Sequence, residues 1–375
     1  MKVHNLRSGL TIHHQPSRFP TTAIHIKVCS GSVNDIVPGT AHILEHALFE
    51  GTSLFKNSKQ LTSYIEDIGG ELNAYTGLDS SNYYCIVPNK HVNKAVKVLQ
   101  SMFNEPLLRK KDIERELKVV REEILSQKDD FMQELGNKLF RTVYKNTPVA
   151  IPACGTLNSI KNITVSHVRK YYRQHYKKKN IIITVVGKMP IGLNKIGLAK
   201  GERTIHTFYS GKFGGQKTLQ RKVESCYHAQ AYPITSLHVF DILENIFDKG
   251  QSGVLFHYLR NKHHAAYDVG AEIIRSNNQK LILFYGVGSK LGVLKSAMQE
   301  ALESDINEKM LKIAKESVIG NIAIQKSSIH NYMELLTKYP NLKEYEQKIM
   351  NVKMQELENT LVKATEINLI PRKKN

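Results

Sequence analysis

Two histidines and a glutamate near the start of this chain have a spacing that suits metal chemistry: His42, Glu45 and His46. Apolar residues recur around them at helical spacing after a Pro-Gly pair, which predicts a helix over 39–49. Positions i, i+3 and i+4 of a helix share one face, so both imidazoles and the carboxylate project together. Two neutral imidazoles so placed can hold Zn²⁺, and the carboxylate can take a proton from a zinc-bound water. The alternative is an ordinary amphipathic helix with two surface histidines.

A catalytic zinc site takes three protein ligands, and a helix predicted over 111–140 offers candidates for the third. Glu116 and Glu123 lie seven residues apart, so they share a helix face that Glu122 does not. Basic residues alternate with these acids, which is equally typical of a solvated, salt-bridged helix. Spacing alone therefore does not choose the third ligand.

Three segments together resemble the insulinase/pitrilysin family of zinc metallopeptidases, especially its shorter branch with the mitochondrial processing peptidase and bacterial processing proteases. They read GTAHILEHALFEGT, GGELNAYTGLDSSNYY and VVREEI, and their order and spacing match the family. The resemblance implies that His42, His46 and Glu123 hold one Zn²⁺ per chain. It also implies that Glu45 is the catalytic base and that Glu116 supports the site.

The second half carries a further part of the resemblance, in the segment FDKGQSGVLFHYLRNKHHAAYDVGA. The family pattern implies that Arg260 and Tyr267 reach the substrate at the metal. A phenol can donate to the developing oxyanion, and a guanidinium can hold a carbonyl oxygen of the peptide. The chain departs from the pattern at 253–255, where Gly-Val-Leu replaces Ser-Arg-Leu, and at 263–264, where His-His replaces a basic-Gly pair.

A hairpin is predicted over 72–88, because two apolar runs flank a turn with Gly and Asp. In the family the first strand of this hairpin is an edge strand that pairs with substrate. The resemblance therefore implies that Asn73, Ala74 and Tyr75 bind the peptide backbone by strand addition. The alternative for Asn73 is an asparagine that fills a turn position of the hairpin.

Strands followed by runs of helices occur twice along the chain, which predicts an α+β fold. We expect two similar α/β sandwich domains, each an antiparallel sheet packed by helices. The zinc-binding catalytic domain is predicted over 1–195, a linker rich in Gly and Lys over 196–215, and a domain of similar architecture over 216–375 that contributes Arg260 and Tyr267. A long helix is predicted over 290–328.

Charge is unevenly distributed along the 375 residues. Lys and Arg number 53 against 34 Asp and Glu, a net charge of +19, and the segment 161–222 holds 15 basic residues and a single acid, Glu202. With its interleaved aromatics, this segment is a candidate to bind nucleic acid, an anionic membrane surface or an acidic partner. The alternative is a solvated, lysine-rich face, and no standard nucleic-acid motif accompanies it.

Composition and motifs together predict the cellular setting. Hydrophobic residues at 41% and charged residues at 23% exclude a disordered or fibrous chain. No apolar run reaches the ~20 residues that span a bilayer, the N-terminus is polar, and four scattered cysteines predict buried thiols in a reducing compartment. We expect a cytoplasmic protein, with a mitochondrial or related matrix as the alternative.

The expected function is a zinc endopeptidase that hydrolyses peptides or unfolded precursor polypeptides. The chain equals half of the large family members, which implies a homodimer or a heterodimer with a related chain. One alternative is a non-catalytic or partner-dependent subunit of a heteromeric processing peptidase. Another is a peptidase docked to an anionic partner, nucleic acid or membrane, through the segment 161–222.

Overall fold

The computed structural model describes residues 1–127, 130–234, 236–276 and 279–372. Two sheets organise this part of the chain. The strands of the first sheet are β1 (Lys2–Asn5), β2 (Thr11–Gln15), β3 (Thr21–Val28), β4 (Glu71–Thr76), β5 (Ser81–Pro88) and β6 (Ile181–Val186). The strands of the second sheet are β7 (Gln216–Arg221), β8 (Cys226–Pro233), β9 (Asp268–Ser276), β10 (Gln279–Gly288) and β11 (Thr365–Pro371).

The α-helices fall in two groups along the chain. Those that precede β7 are α1 (Thr40–Phe49), α2 (Ser58–Glu66), α3 (Val92–Asn104), α4 (Lys110–Ser126), α5 (Phe131–Val143) and α6 (Val165–His175). Those that follow β8 are α7 (Leu237–Phe247), α8 (Leu291–Leu302), α9 (Glu308–Gln325), α10 (Ile329–Lys338), α11 (Leu342–Asn351) and α12 (Met354–Glu358). A π-helical segment, Phe256–Lys262, precedes β9. No helix in the described ranges is long and apolar enough to cross a membrane.

The two sheets share one topology, which confirms the predicted α+β fold with two similar halves. The first has the strand order β1-β2-β6-β3-β5-β4 and the second the order β7-β11-β8-β10-β9. Removal of β1 makes the two orders equivalent, strand for strand. Each sheet contains one parallel pair of strands, β2 with β6 in the first sheet and β7 with β11 in the second. The other neighbouring strands are antiparallel. The sheets are therefore mixed, where the sequence predicted purely antiparallel ones.

Two long helices predicted from periodicity are each divided by an N-cap. The helix predicted over 111–140 is α4 and α5, with residues 128–129 outside the described ranges, and Asp130 accepts a hydrogen bond from Gln133 N at the start of α5. The helix predicted over 290–328 is α8 and α9, and Asn307 accepts from Met310 N at the start of α9. An Asp or Asn side chain at this position satisfies a free backbone N–H, so it starts a new helix.

The described chain forms two compact units, and neither is continuous in sequence. The first comprises Met1–Ser126, Ile151–Thr207 and Ile324–Leu342, and the second comprises Gln127–Ala150, Phe208–Ala323 and Lys343–Asn375. Helix α10, from the second half of the chain, thus belongs to the first unit, and α5, from the first half, belongs to the second unit. The limits 1–195 and 216–375 each enclose one sheet, and as domain boundaries they stay a prediction.

Both faces of the first sheet are covered. Ile24, Ile26 and Val28 of β3 point into the main core, which α1, α3, α4 and α6 share. On the opposite face, α10 packs across β3 and β6. The residues of this second cluster are Ala23, Tyr84, Ile86, Val186, Met333 and Leu336. All four cysteines are buried and unbridged, as predicted.

Candidate metal centre

The start of helix α1 is fixed by an aspartate and a glycine. Asp35 accepts hydrogen bonds from Gly39 N at 2.7 Å and Ala41 N at 2.9 Å, so its carboxylate caps the helix that carries the HxxEH motif. Gly39 has a φ of 101°, and a Cβ there would lie 2.8 Å from the Cys154 carbonyl oxygen. Only glycine combines that conformation with that close approach. Residues on both sides thus orient α1 before any metal binds.

Helix α1 and helix α4 bring three predicted ligands together. His42 Nε2 lies 3.8 Å from Glu123 Oε2, and His46 Nε2 lies 3.9 Å from the same oxygen. The ligand atoms of His42, His46 and Glu123 all lie within 4.8 Å of one another. Within the described ranges, this is the one such group of histidine, cysteine or acidic side chains.

The donor set fits a zinc ion. Two imidazole nitrogens and one carboxylate oxygen match a catalytic zinc site, in which a fourth position takes water or substrate. Tetrahedral bonds of about 2.0–2.1 Å would separate the ligand atoms by about 3.4 Å. The observed 3.8 and 3.9 Å are close to this value. His42 faces Glu123 with Nε2, which is the nitrogen placed to bind a metal. Its other ring nitrogen, Nδ1, is buried and has no hydrogen-bond partner in the described structure.

A second carboxylate lies behind His46. Glu116 Oε2 is 3.2 Å from His46 Nδ1, and Arg115 Nε donates to the other oxygen of Glu116 at 3.3 Å. Arg115 also pairs with Glu50, at the end of α1. A carboxylate that accepts from Nδ1 fixes the tautomer of a histidine and leaves Nε2 as the metal-binding atom. Glu116 is thus placed to support the site from outside the ligand set.

Glu45 is buried beside the cluster and is held by one hydroxyl. Thr76 Oγ1, at the end of β4, donates to Glu45 Oε2 at 2.5 Å. Only 8% of Glu45 is exposed. The contact ties α1 to β4, so the strand predicted to bind peptide also orients the glutamate predicted to move the proton.

Burial and neighbouring charges set the protonation of these groups. Burial, reinforced by His46, lowers the pKa of His42 to about 4. Burial also raises the pKa of Glu45, although the bond from Thr76 acts in the opposite direction. Burial would lower the pKa of His46, but the hydrogen bond with Glu116 and the nearby carboxylates outweigh this effect. The pKa of His46 is therefore raised. A neutral His42 is the form that binds metal, and a glutamate with a raised pKa suits proton transfer near neutral pH.

The predicted substrate strand, β4, lies at the edge of the first sheet, and in the described part of the chain it pairs with β5 alone. Its residues alternate in exposure, and Asn73 and Tyr75 are on the exposed side. Asn73 Oδ1 accepts from Ala74 N at 2.8 Å, so the asparagine side chain already occupies one backbone donor of this strand. A peptide that pairs with Ala74 N has to displace that side chain.

Arg260 and Tyr267 both lie in the second unit and contact each other. Arg260 Nη1 donates to the Tyr267 carbonyl oxygen at 3.1 Å, and its guanidinium lies 5.1 Å from the centre of the Phe256 ring. The Tyr267 hydroxyl donates to Ser225 Oγ at 3.3 Å, and 57% of the residue is exposed. The pair that the sequence predicted is thus preorganised on the surface of its own unit.

Three residues that shape the site were missed by sequence reasoning: Asp35, Thr76 and Arg115. Asp35 precedes a Pro-Gly helix start, and an acidic residue there is a signal for a cap. Thr76 follows Asn73, Ala74 and Tyr75 directly, yet spacing gave no reason to pair it with a residue 31 positions earlier.

These features define a class of protein: a duplicated α+β fold with an HxxEH helix, a glutamate from a second helix and an outer carboxylate behind the second histidine. The chain belongs to the insulinase family, peptidase family M16. The profile described as "Insulinase (Peptidase family M16)" matches residues 10–157, and that described as "Peptidase M16 inactive domain" matches residues 162–318. Membership supports a metallopeptidase of the zinc type.

Two bacterial relatives match most of the chain in sequence, and a mitochondrial relative matches half of it. An uncharacterized zinc protease of Rickettsia felis is 25% identical over 96% of this chain and 93% of its own length. One from Bacillus subtilis is 25% identical over 84% of this chain and 81% of its own length. The beta subunit of the human mitochondrial-processing peptidase is 30% identical over 50% of this chain and 38% of its own length.

Solved structures share the fold. A protease from Helicobacter pylori superposes with a TM-score of 0.89 at 20% identity, over 99% of each chain. A protein from Pseudomonas fluorescens, titled a peptidase M16 inactive domain, superposes with a TM-score of 0.89 at 15% identity, over 100% of this chain and 99% of that one. At these identities the likeness concerns the fold alone.

Proposed function

We propose that this protein is a zinc-dependent endopeptidase that cleaves peptides or unfolded precursor polypeptides. The observation that carries the proposal is the cluster of His42, His46 and Glu123, with the buried Glu45 beside it. In this assignment those three residues hold one Zn²⁺ per chain, and Glu116 fixes the tautomer of His46.

A Zn²⁺ ion bound in this site would act as a Lewis acid, which would polarise the scissile carbonyl and lower the pKa of a bound water molecule. Glu45 takes the proton from the attacking water and passes it to the leaving amine. Burial, which raises the pKa of Glu45, makes its carboxylate a stronger base for the first transfer and a usable acid for the second. Thr76 keeps one carboxylate oxygen occupied, so the other is available to the water.

Substrate binding is assigned to backbone contacts. The edge strand β4 offers the backbone of Asn73, Ala74 and Tyr75 to an extended peptide, and main-chain bonds give affinity with little sequence preference. Arg260 and Tyr267 supply a guanidinium for a peptide carbonyl and a phenol for the developing oxyanion. Extended or unfolded segments meet these requirements, whereas most backbone groups of a folded protein are already hydrogen-bonded within its own helices and sheets.

Assembly with a second chain is part of the proposal. The beta subunit of the mitochondrial-processing peptidase is by name one subunit of a larger enzyme, and it matches 50% of this chain. Because this chain carries both the HxxEH motif and the Arg260–Tyr267 pair, a homodimer that is active by itself is favoured over a heterodimer. The alternative is a partner-dependent or non-catalytic subunit.

The test compares wild type with Glu45→Gln and with a matched control, Glu122→Gln. Glu122 lies on the same helix as the ligand Glu123, but it pairs with Arg121 and is exposed. We expect wild type and both variants to hold about one zinc by elemental analysis. Cleavage of a quenched, unstructured peptide should fall by about 10²–10⁴-fold in Glu45→Gln alone, the usual share of a general base.

The other outcomes separate the alternatives. Glu45→Gln with wild-type activity would show that this residue is not the base. A wild-type chain without zinc would refute the ligand assignment. A wild-type chain that holds zinc, is monodisperse and cleaves no peptide in a broad set would establish the partner-dependent or non-catalytic alternative.

A further inference from the structure

Two adjacent backbone segments of the first unit concentrate the positive charge of 161–222. Lys177, Lys178 and Lys179 lie between α6 and β6, and the N–H groups of Lys178 and Lys179 donate to the carbonyls of Ala199 and Lys200 at 3.3 and 3.0 Å. The second segment, residues 199–203, therefore runs beside the first, residues 177–179. We call the cations of these two segments the lysine patch: Lys177, Lys178, Lys179, Lys200 and Arg203.

The segment that carries the lysine patch holds little negative charge, although Asp79 interacts electrostatically with His206, three residues after Arg203. Glu202 is the single acid of 161–222, and it pairs with Lys179 at 3.0 Å. Arg7 adds a further exposed cation, because it lies in the turn whose Gly9 abuts the stem of Lys179. The patch is a concentrated, weakly compensated positive surface that attracts phosphate groups.

The lysine stems lie against glycines, which keeps the charged ends at the surface. A Cβ at Gly201 would lie 2.4 Å from Lys177 Cγ, and one at Gly197 would lie 3.4 Å from Lys178 Cγ. Lysines commonly rest their methylene stems on the protein and keep the ammonium group in water. The close fit at Gly201 means that a larger residue there would displace Lys177.

The three tyrosines that precede the lysine patch in the sequence are not available to a ligand. Tyr171, Tyr172 and Tyr176 are 3%, 7% and 0% exposed, and their hydroxyls are satisfied inside the protein by Gly31 O, Phe103 O and Tyr83 OH. Proteins that bind single-stranded nucleic acid stack bases on exposed rings. Phe208, which is 62% exposed, belongs to the second unit. Within the first unit, residues 161–207 thus present charge without an exposed tyrosine or phenylalanine ring, which favours recognition of phosphate over bases.

One exposed apolar side chain stands beside the patch. Ile205 is 92% exposed, two residues after Arg203. Its neighbour Thr204 is firmly anchored, since Thr204 N donates to Asn180 Oδ1 at 2.9 Å and Thr204 Oγ1 lies 2.6 Å from Ser30 Oγ. The backbone therefore presents Ile205 to solvent instead of letting it fold inward. A fixed apolar side chain next to lysines matches a surface that contacts lipid.

We propose that the lysine patch with Ile205 is a docking surface for an anionic lipid bilayer. Lipid phosphates pair with the cations, and Ile205 enters the boundary between head groups and acyl chains. Duplex nucleic acid accounts for the charge but gives Ile205 no apolar partner. The proposal does not depend on peptidase activity, and it would confine that activity to the membrane surface.

The test measures co-sedimentation with vesicles of phosphatidylcholine alone and of phosphatidylcholine mixed with phosphatidylglycerol. The patch variant is K177E/K178E/K179E. The matched control is K290E/K309E/K312E, three exposed lysines outside the patch whose reversal changes the net charge equally. Circular dichroism establishes that each variant is folded.

We expect wild type and control to bind the anionic vesicles and to ignore pure phosphatidylcholine. The patch variant should bind at least about 100-fold more weakly, which corresponds to about 1 kcal/mol for each of three lost cations. Ile205→Ser keeps every charge and should weaken binding about 10-fold, which corresponds to the ~1.5 kcal/mol of a buried isoleucine side chain. This single variant tests the surface even if the triple variant does not fold.

Three results would overturn the proposal. Equal losses in the patch and control variants would show attraction by net charge alone. Wild type that ignores anionic vesicles would exclude lipid outright. Patch-dependent binding to a DNA duplex, with Ile205→Ser unchanged and no binding to vesicles, would assign the surface to nucleic acid.

Discussion

At the residue scale, the hydroxyl of Thr76 is the contact that sets the orientation of Glu45. Thr76→Val keeps the shape of the side chain and removes the donor to Glu45 Oε2. We expect kcat for the unstructured peptide to fall roughly 10-fold, which matches the ~1.5 kcal/mol of a hydrogen bond to a charged group. KM and zinc content should stay near wild type, because Thr76 is not among the assigned ligands.

Thr76→Ser is the matched control for that change, since serine restores the donor. Recovery of kcat in Thr76→Ser would show that the hydroxyl matters and not the packing of the side chain. Loss of zinc in Thr76→Val would instead make Thr76 a structural support of the metal centre and contradict the assignment.

A buried histidine in strand β3, on the face of the first sheet that α10 covers, makes the stability of the protein depend on pH. His25 is 2% exposed, and neither ring nitrogen has a hydrogen-bond partner in the described structure. Burial, together with the nearby Lys27, lowers the pKa of His25 to about 3. The unfolded chain has the ordinary value of about 6.5, so stability is complete above that pH and is lost as pH falls towards the folded value.

Between pH 7.5 and 5.5 the contribution of His25 to the free energy of unfolding should fall by about 1.4 kcal/mol. His25→Leu removes the ionisable group at similar volume, so its loss between those two pH values should be smaller than that of wild type by this amount. Urea denaturation followed by circular dichroism measures both. Equal losses in wild type and variant would mean that His25 is already partnered in solution.

The candidate ligands could be predicted from sequence because helix geometry relates them: His42, Glu45 and His46 share one turn of helix, and Glu116 and Glu123 share a face. The contact between Thr76 and Glu45 joins a strand to a helix, so only the tertiary fold creates it. The choice of Glu123 over Glu116 as the third ligand likewise came from family resemblance. In the structure, Glu123 lies near Nε2 of both histidines, and Glu116 lies near Nδ1 of His46.

At the scale of elements, the turn between the π-helical segment Phe256–Lys262 and β9 contains a strained residue. His264 has a φ of 47°, in the left-handed region that favours glycine. The family pattern has glycine in this basic-Gly pair, and here His263 and His264 replace it. His264→Gly should raise the free energy of unfolding by about 0.5–1 kcal/mol, because relief of the strain outweighs the greater freedom of glycine in the unfolded chain.

Asn261→Gly is the control for that substitution, since Asn261 lies within the helical segment, where glycine destabilises by about 1 kcal/mol. Urea midpoints for the two variants should therefore move in opposite directions. A lower midpoint for His264→Gly would show that the histidine side chain makes a contact worth more than the strain.

Local patterns predicted most elements but not their ends. The β4–β5 hairpin, α1 and β6 follow from apolar periodicity and glycine-containing turns, and the structure has them where expected. Periodicity continues across the α8–α9 break, so the pattern alone reads as one helix. The new helix starts at Asn307, whose side chain accepts a hydrogen bond from Met310 N. In the sequence alone, a single asparagine in a polar stretch is a weak signal for such a cap.

At the scale of the whole molecule, duplication explains the order of the strands but not the exchange of helices. In each half one helix, α5 or α10, joins the unit formed mainly by the other half. Both helices are amphipathic, with apolar residues at helical spacing, and such a face does not specify which sheet it covers. For this reason the exchange of α5 and α10 cannot be predicted from apolar periodicity.

The exchange predicts that the chain cannot be divided at its midpoint. A fragment of residues 1–207 contains the whole first sheet but lacks α10, which leaves the face with Ala23, Tyr84, Ile86 and Val186 uncovered. These residues are at most 8% exposed in the intact protein. Since each fully buried apolar side chain contributes about 1.5–3 kcal/mol, their exposure should leave the fragment loosely packed, with strong binding of a hydrophobic dye.

A peptide that spans 324–342 should restore the fragment, because it supplies Met333 and Leu336 to the uncovered face. Addition of this peptide is expected to weaken dye binding and to produce a cooperative thermal transition that fragment 1–207 lacks alone. Some dye binding should remain, because the fragment also contains α5, whose apolar face packs within the second unit in the intact protein. The control peptide carries M333K and L336K, which keeps its length and places charge on the packing face. If fragment 1–207 melts cooperatively at the same temperature with either peptide or with none, the first unit does not need α10, and the helix contributes to the fold only as part of the second half.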